Sequence, residues 1–154
     1  MEELHIGNLK IKLPIIQGGM GIGVSMSGLA GTVANHGGVG VIAVAGLGMF
    51  EPDYARNFLE ANARALKKEI QKAKAMTDGV LGVNIMVALT NFSNLVKTSI
   101  EEGIDIIFAG AGLPLNLPQY LTEGAKTKLV PIVSSGRAAK ILCSKWKGMF
   151  DYLP

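Results

Sequence analysis

Five short apolar runs recur along the chain: Ile15 to Gln17, Val39 to Val44, Leu81 to Met86, Ile104 to Ala109 and Leu129 to Val133. They are continuous rather than alternating and rich in Val and Ile, as strands buried on both faces of a sheet should be. Segments with helical punctuation separate them. Ser27 to Asn35 leads into the stop His36-Gly37-Gly38. Pro52 is placed to open a long helix whose Leu59, Leu66, Ile70 and Ala73 share one face. Asn91 or Ser93 can cap a helix that carries Leu95, Val96 and Ile100 and ends at Gly103, and a last helix, Ala138 to Lys147, ends at Gly148. Strand then helix, five times over, means parallel strands joined by right-handed crossovers, an α/β fold.

Strand onsets near positions 15, 39, 81, 104 and 129 set a cadence of about 25 residues, broken only by the long helix. Two architectures satisfy it. One is a complete five-stranded doubly wound sheet. The other is the first five βα units of a (β/α)8 TIM barrel, which takes about 250 residues in full. The 154 residues, 49% hydrophobic and 18% charged, are enough for one domain with its own core.

Other classes of function are excluded by composition. The longest apolar run, Gly38 to Phe50, falls short of the ~20 residues needed to cross a bilayer, so no membrane partner is expected. The opening MEELHIGNLKIKLP lacks the charged, apolar and small-residue regions of a secretory leader, which makes a cytoplasmic location the expectation. One cysteine, Cys143, excludes an internal disulfide and cannot by itself make a metal site; beside Ile141 and Leu142 it reads as core. The formal charge of +3 raises nucleic acid as a partner. Much of the excess lies in Arg56, Arg64, Lys67, Lys68, Lys72 and Lys74, interleaved with Glu60 and Glu69, which is a solvated helix face, with Glu60 and Arg64 spaced as a helical pair. No aromatic residues interleave with them for base stacking, so no nucleic acid is expected.

Parallel α/β folds place function at the carboxyl ends of their strands. Here those ends read Gln17-Gly18-Gly19-Met20-Gly21, Ala45-Gly46-Leu47-Gly48, Asn84-Ile85-Met86, Ala109-Gly110-Ala111-Gly112 and Ser134-Ser135-Gly136-Arg137. Four of the five are glycine-rich, so bare backbone can approach a flat ring or a phosphate. That favours a large bound cofactor over carboxylate-driven catalysis, although such loops also serve as simple tight turns. The dinucleotide fingerprint is out of register, because Val24 stands where Gly19-Met20-Gly21 would need its third glycine. Asn84, the only amide at an apolar strand end, must find a partner and reads as a ligand contact. His36 reads as a helix-end cap and His5 as exposed. A phosphorelay receiver would carry acidic residues where Gln17 and Asn84 stand.

Taken in order, PIIQGGMGIGVS, GGVGVI, GVNIM, FAGAGLP and VPIVSSGRAA resemble the nitronate monooxygenase family, once called 2-nitropropane dioxygenases, whose superfamily includes the flavin-dependent enoyl-acyl-carrier-protein reductases. The resemblance covers essentially the whole chain and decides for the barrel. It implies an FMN cofactor and, for a full-length parent, oxidation of a small-molecule alkyl nitronate by dioxygen to a carbonyl compound and nitrite. It also implies that Gln17, Gly18, Gly19 and Met20 lie along the isoalloxazine ring, that Asn84 contacts FMN, and that Gly110 lines the flavin pocket. The family's catalytic histidine sits in an A-G-G-H-x-G motif after the sixth strand, and no such motif occurs in this sequence. The resemblance therefore assigns no catalytic residue here. The chain is expected to be the amino-terminal part of one FMN-binding barrel domain, with unpaired strand edges and an open apolar interior that favour association, including homo-oligomers.

Overall fold

A computed structural model describes residues 2–154. An antiparallel hairpin, β1 (Leu4–Ile6) and β2 (Leu9–Ile11), precedes the alternating part of the chain, in a stretch that shows no helical or buried-strand pattern. Then come α1 (Ser27–Asn35), β3 (Gly40–Ala43), α2 (Phe58–Met76), β4 (Leu81–Met86), α3 (Phe92–Glu101), β5 (Ile106–Gly110), β6 (Lys128–Pro131) and α4 (Gly136–Phe150). Strands β3 to β6 form one parallel sheet in sequential order. A doubly wound sheet reverses its order at a switch point; sequential order is that of a barrel wall.

Two of the five expected βα units are incomplete. The run Ile15 to Gln17 makes a single parallel bridge, Ile16 to Val39, because the glycines that follow turn the backbone away from β3. The fourth unit carries only a 3-10 turn, Leu117–Tyr120, with Pro118 inside it, where a helix was expected. Pro52 does not open α2. Residues 51–56 form a turn of their own, Asn57 donates from its side chain to Asp53 at 3.0 Å, and the helix starts at Phe58. Asn91 holds the position before α3 but makes no side-chain cap. Gly148 lies inside α4, which runs to Phe150 and ends at Asp151 with φ of 51°. The stops at His36 and Gly103 hold, and His36 Nδ1 lies 2.8 Å from the Thr32 carbonyl as a helix-end contact.

The pleat divides the apolar residues between two faces. Ile42, Val44, Leu81, Val83, Ile85 and Ile107 pack against the helices. Val39, Val41, Ile106 and Phe108 face the other way, where Leu4, Ile6, Leu9 and Ile11 of the hairpin cover them. The hairpin thus plugs one end of the barrel interior, and the face is left open toward the carboxyl ends of the strands. Ile15, Ile16, Met86 and Ile132 are exposed there or at the wall's edges.

On the outer layer, Arg64, Lys67, Lys68 and Lys72 of α2 stay solvated, as expected, while each also pairs with a carboxylate, and Lys74 donates to the Glu102 carbonyl. Arg64 bonds Glu51 and Asp53 instead of Glu60; Lys68 also reaches Glu51, and Lys67 reaches Glu102. Buried Glu69 accepts from the Ser27 N–H at 2.9 Å and from Lys72 at 2.9 Å, so it caps α1 from α2. Trp146 is fully buried, donates to the Pro114 carbonyl at 3.1 Å and stacks edge-on with Tyr152. The Tyr152 hydroxyl in turn accepts from Leu129 N–H at 3.2 Å, on the outer edge of β6. Cys143 is half-buried, not in the core. Among the described residues no helix is long and apolar enough to cross a membrane.

Candidate functional site

Strand register brings the sequence-predicted residues of β4 and β5 side by side. Asn84 pairs with Ala43 on one side and Phe108 on the other, and Met86 pairs with Gly110. Positions 82, 84 and 86 alternate onto the interior face, as do 106, 108 and 110. Asn84 therefore sits above the plugged floor, at the open end of the face.

The segment Gly18 to Met20 crosses over it. A Cβ on Gly19 would stand 2.5 Å from the Asn84 Cβ and 3.1 Å from its Cγ, so only glycine lets the backbone lie this close. Nothing lies within 4 Å of the corresponding position on Gly18, and Gly18 and Met20 are exposed. Among the described residues no hydrogen bond engages the Asn84 side-chain amide, which is half-buried. An amide so placed, under bare backbone and beside exposed Met86, keeps both its donor and its acceptor capacity unspent.

At the start of the same segment, the Gln17 side chain bonds the sheet. Its side-chain Nε2 donates to the Val41 carbonyl at 3.0 Å, and its Oε1 accepts from Val41 N–H at 3.2 Å. Below it Gln17 N–H donates to the Val39 carbonyl at 3.0 Å, and Val39 N–H to the Ile15 carbonyl at 2.9 Å. The amide of Gln17 thus adds one more rung to the ladder at the point where the main chain departs.

Gly110, fully buried, closes the other side. A Cβ there would press on Ile132 at 3.2 Å, and its carbonyl accepts from Val87 N–H at 2.7 Å. Next to it, Ala111, Gly112, Leu113, Ile132, Val133 and Ser134 line a cavity of about 370 Å³ between the ends of β5 and β6. Sequence reasoning named Ser134 but not Leu113 or Ile132, which look like ordinary loop and strand residues. It also missed Ser25, whose signal would have been a polar residue closing a glycine-rich loop.

None of the six residues lining that cavity is charged, although exposed Arg137 follows Ser134 by three positions; the ion pairs made by α2 lie on the helical exterior. There the hydrogen bonds from Lys68 and Arg64 hold the Glu51 carboxyl below its ordinary range, and Lys67 does the same for Glu102. Burial pushes the Glu69 carboxyl up, but the bonds from Lys72 and Ser27 outweigh it and the net direction is down. Among the described residues no cluster of His, Cys, Asp or Glu is arranged to hold a metal ion. The open end offers flat backbone, an apolar rim and one amide, a setting for a planar heteroaromatic group.

The family model described as nitronate monooxygenase matches residues 2–102. FabK from Thermotoga maritima is 32% identical over 88% of this chain and 38% of its own, with a TM-score of 0.67. A point mutant of that protein matches at the same identity, with 40% of its chain covered and a TM-score of 0.69. Nitroalkane oxidase from Streptomyces ansochromogenes shares the fold at 17% identity, over 88% of this chain and 44% of its own, with a TM-score of 0.69. The chain spans about two fifths of the length of these structures. No curated protein matches it.

Proposed function

The chain belongs to the nitronate monooxygenase family, a family of flavin-dependent oxidoreductases, and from that membership we propose that the open end of its sheet is one wall of an FMN site. The observation that most supports this is the Gly19–Asn84 contact, in which a glycine-only approach sets exposed backbone beside an unpartnered amide. The residues fit an isoalloxazine ring. Gly18 to Met20 would lie along its face, Asn84 would bond its polar edge, and Gly110 would leave room beside the cavity of about 370 Å³. When bound, FMN supplies the electron chemistry; the protein orients it and excludes competing reactions. Met20, Met86 and Ile132, all exposed, would lose apolar surface to the ring.

For the whole protein the proposed reaction is FMN-dependent oxidation of an alkyl nitronate by dioxygen to a carbonyl compound and nitrite. In the same proposal residues 1–154 form the amino-terminal part of a single barrel domain. Their own share is to hold and orient the cofactor, since no histidine stands at this end of the sheet: His5 lies in the hairpin and His36 at the end of α1. A second reading, hydride transfer from a reduced nicotinamide through FMN to an enoyl thioester, draws on the motif Gly82-Val83-Asn84-Ile85-Met86, which the related reductases share. Nitrite release coupled to oxygen uptake supports the first reading, and nicotinamide oxidation that requires the thioester supports the second.

FMN titration of the purified chain, followed by flavin fluorescence, tests the site. Binding that weakens about tenfold in Asn84→Ala, the cost of one good hydrogen bond, is expected. Equal binding by parent, Asn84→Ala and Gly19→Val would refute it.

A further inference from the structure

We propose that Ser25 is the positioning residue of the flavin-facing segment, a clasp that fixes Gly18 to Met20 in the shape that receives the ring; this rests on the FMN reading above. Ser25 is only 1% exposed, and it uses every polar group it has. Its hydroxyl accepts from Met20 N–H at 3.0 Å and donates toward the Gly18 carbonyl at 3.3 Å. Its own N–H donates to the Met20 carbonyl at 2.9 Å, and its carbonyl accepts from Ala43 N–H at 3.0 Å.

The loop it closes contains Gly18, Gly19, Gly21 and Gly23 and has little intrinsic reason to keep one conformation. Among the described residues no other side chain hydrogen-bonds to the backbone of positions 18–24. A hydroxyl suits the task because it donates and accepts at once, which neither a methyl nor an apolar side chain can do. The anchor point matters as well. Ala43, which bonds the Ser25 carbonyl, is the register partner of Asn84. Ser25 therefore ties the loop to the same rung of the sheet that carries the candidate ligand amide, and so sets the distance between Gly19 and Asn84. By engaging the Gly18 carbonyl and Met20 N–H it also leaves the Gly18 and Gly19 N–H groups as the segment's free donors.

The test compares the parent with Ser25→Ala and with Ser25→Cys, which fills the same space with a weak hydrogen-bonding group. Amide exchange at Met20 and Val41 is measured by NMR, and FMN affinity by fluorescence titration. Exchange at Met20 should accelerate about tenfold or more, Val41 should be unchanged, and FMN affinity should fall about tenfold, each corresponding to the loss of one to two hydrogen bonds. Unchanged exchange at Met20 would overturn the clasp. Faster exchange at Met20 with unchanged FMN affinity would overturn its positioning role, as would equal acceleration at Met20 and Val41, which marks a general loss of stability. Absence of FMN binding by the parent is a different result and refutes the site itself.

Discussion

Replacing Gln17 by Met keeps the length of the side chain and deletes both of its polar atoms, which makes it the sharpest probe of how the wall ends. Hydrogen bonding alternates along a parallel strand. Gly40 N–H points to the Val80 carbonyl on the β4 side, so the N–H and carbonyl of Val39 and Val41 point to the first strand. Val39 finds main-chain partners there, whereas Val41 finds only the Gln17 amide, at 3.0 and 3.2 Å. Gln17→Met removes two hydrogen bonds, each contributing about 1 kcal/mol, and leaves two polar groups of Val41, a residue 1% exposed, without partners. The expected loss is about 2–4 kcal/mol, against a total stability of about 5–15 kcal/mol for a domain. With a urea dependence of about 1–3 kcal/mol per molar, the unfolding midpoint should fall by about 0.7–4 M, with faster amide exchange at Val41. Gln17→Glu keeps the acceptor for Val41 N–H but sets a carboxylate oxygen against the Val41 carbonyl. That repulsion raises the new carboxyl's folded-state pKa, so the defect should shrink as pH falls and the protonated group can donate. Both variants within about 0.5 kcal/mol of the parent at neutral pH would refute the rung.

Three further outcomes are expected. Gly40→Ala would set a Cβ 1.9 Å from the Ala30 carbonyl oxygen, closing the gap by which α1 lies on β3; thermal unfolding should show a loss of about 3 kcal/mol or more, whereas Gly28→Ala, with nothing within 4 Å, should be neutral or gain about 0.5 kcal/mol. The Glu69 carboxyl is lowered in the folded state, so it binds fewer protons there than in the unfolded chain. Its contribution is present above the ordinary glutamate value and is lost as pH falls through the lower folded one; in urea melts between about pH 3 and pH 6, Glu69→Gln should flatten that part of the stability profile. Tyr152→Phe removes the acceptor for Leu129 N–H and should cost about 0.5–1.5 kcal/mol with faster exchange at Leu129; unchanged exchange there would show that the hydroxyl does not cover the edge.

The central strands and their helices were legible because burial on both faces leaves an unmistakable run of Val, Ile and Leu. β4, Leu81–Met86, matches its run residue for residue. What was hidden depends on partners distant in sequence. The hairpin strands, Leu4–Ile6 and Leu9–Ile11, alternate polar and apolar residues over too few positions to register, and they are held by Val41, Ile106 and Phe108 of the sheet. Pro52 looked like a helix start because proline tolerates that position, but Asp53, Asn57 and Arg64 organise a separate turn first. At the site, glycine-rich strand ends left simple turns and cofactor contact both open, and it was the family resemblance that singled out Gly18, Gly19 and Gly110, while the lone amide at an apolar strand end pointed to Asn84. The sequence offered no means of telling that the Gln17 amide turns into the sheet, or that Ser25 holds the loop, because both depend on which backbone groups the neighbouring strand leaves free.

The Glu69 cap bears on the order in which the chain acquires structure. Helix α1 has nine residues, fewer than the ~12–15 at which an isolated helix becomes even marginal in water, and Met26 before it supplies no capping side chain. Its cap comes from a carboxylate 42 positions later. During synthesis at about 5–20 residues per second, α1 would wait about 2–8 seconds for Glu69 to be added, and longer for it to clear the ribosome. The glycine-rich loop that leads into α1 stays without its downstream support for that interval. The first turn of the barrel wall is thus written early and set late, when α2 arrives to hold it.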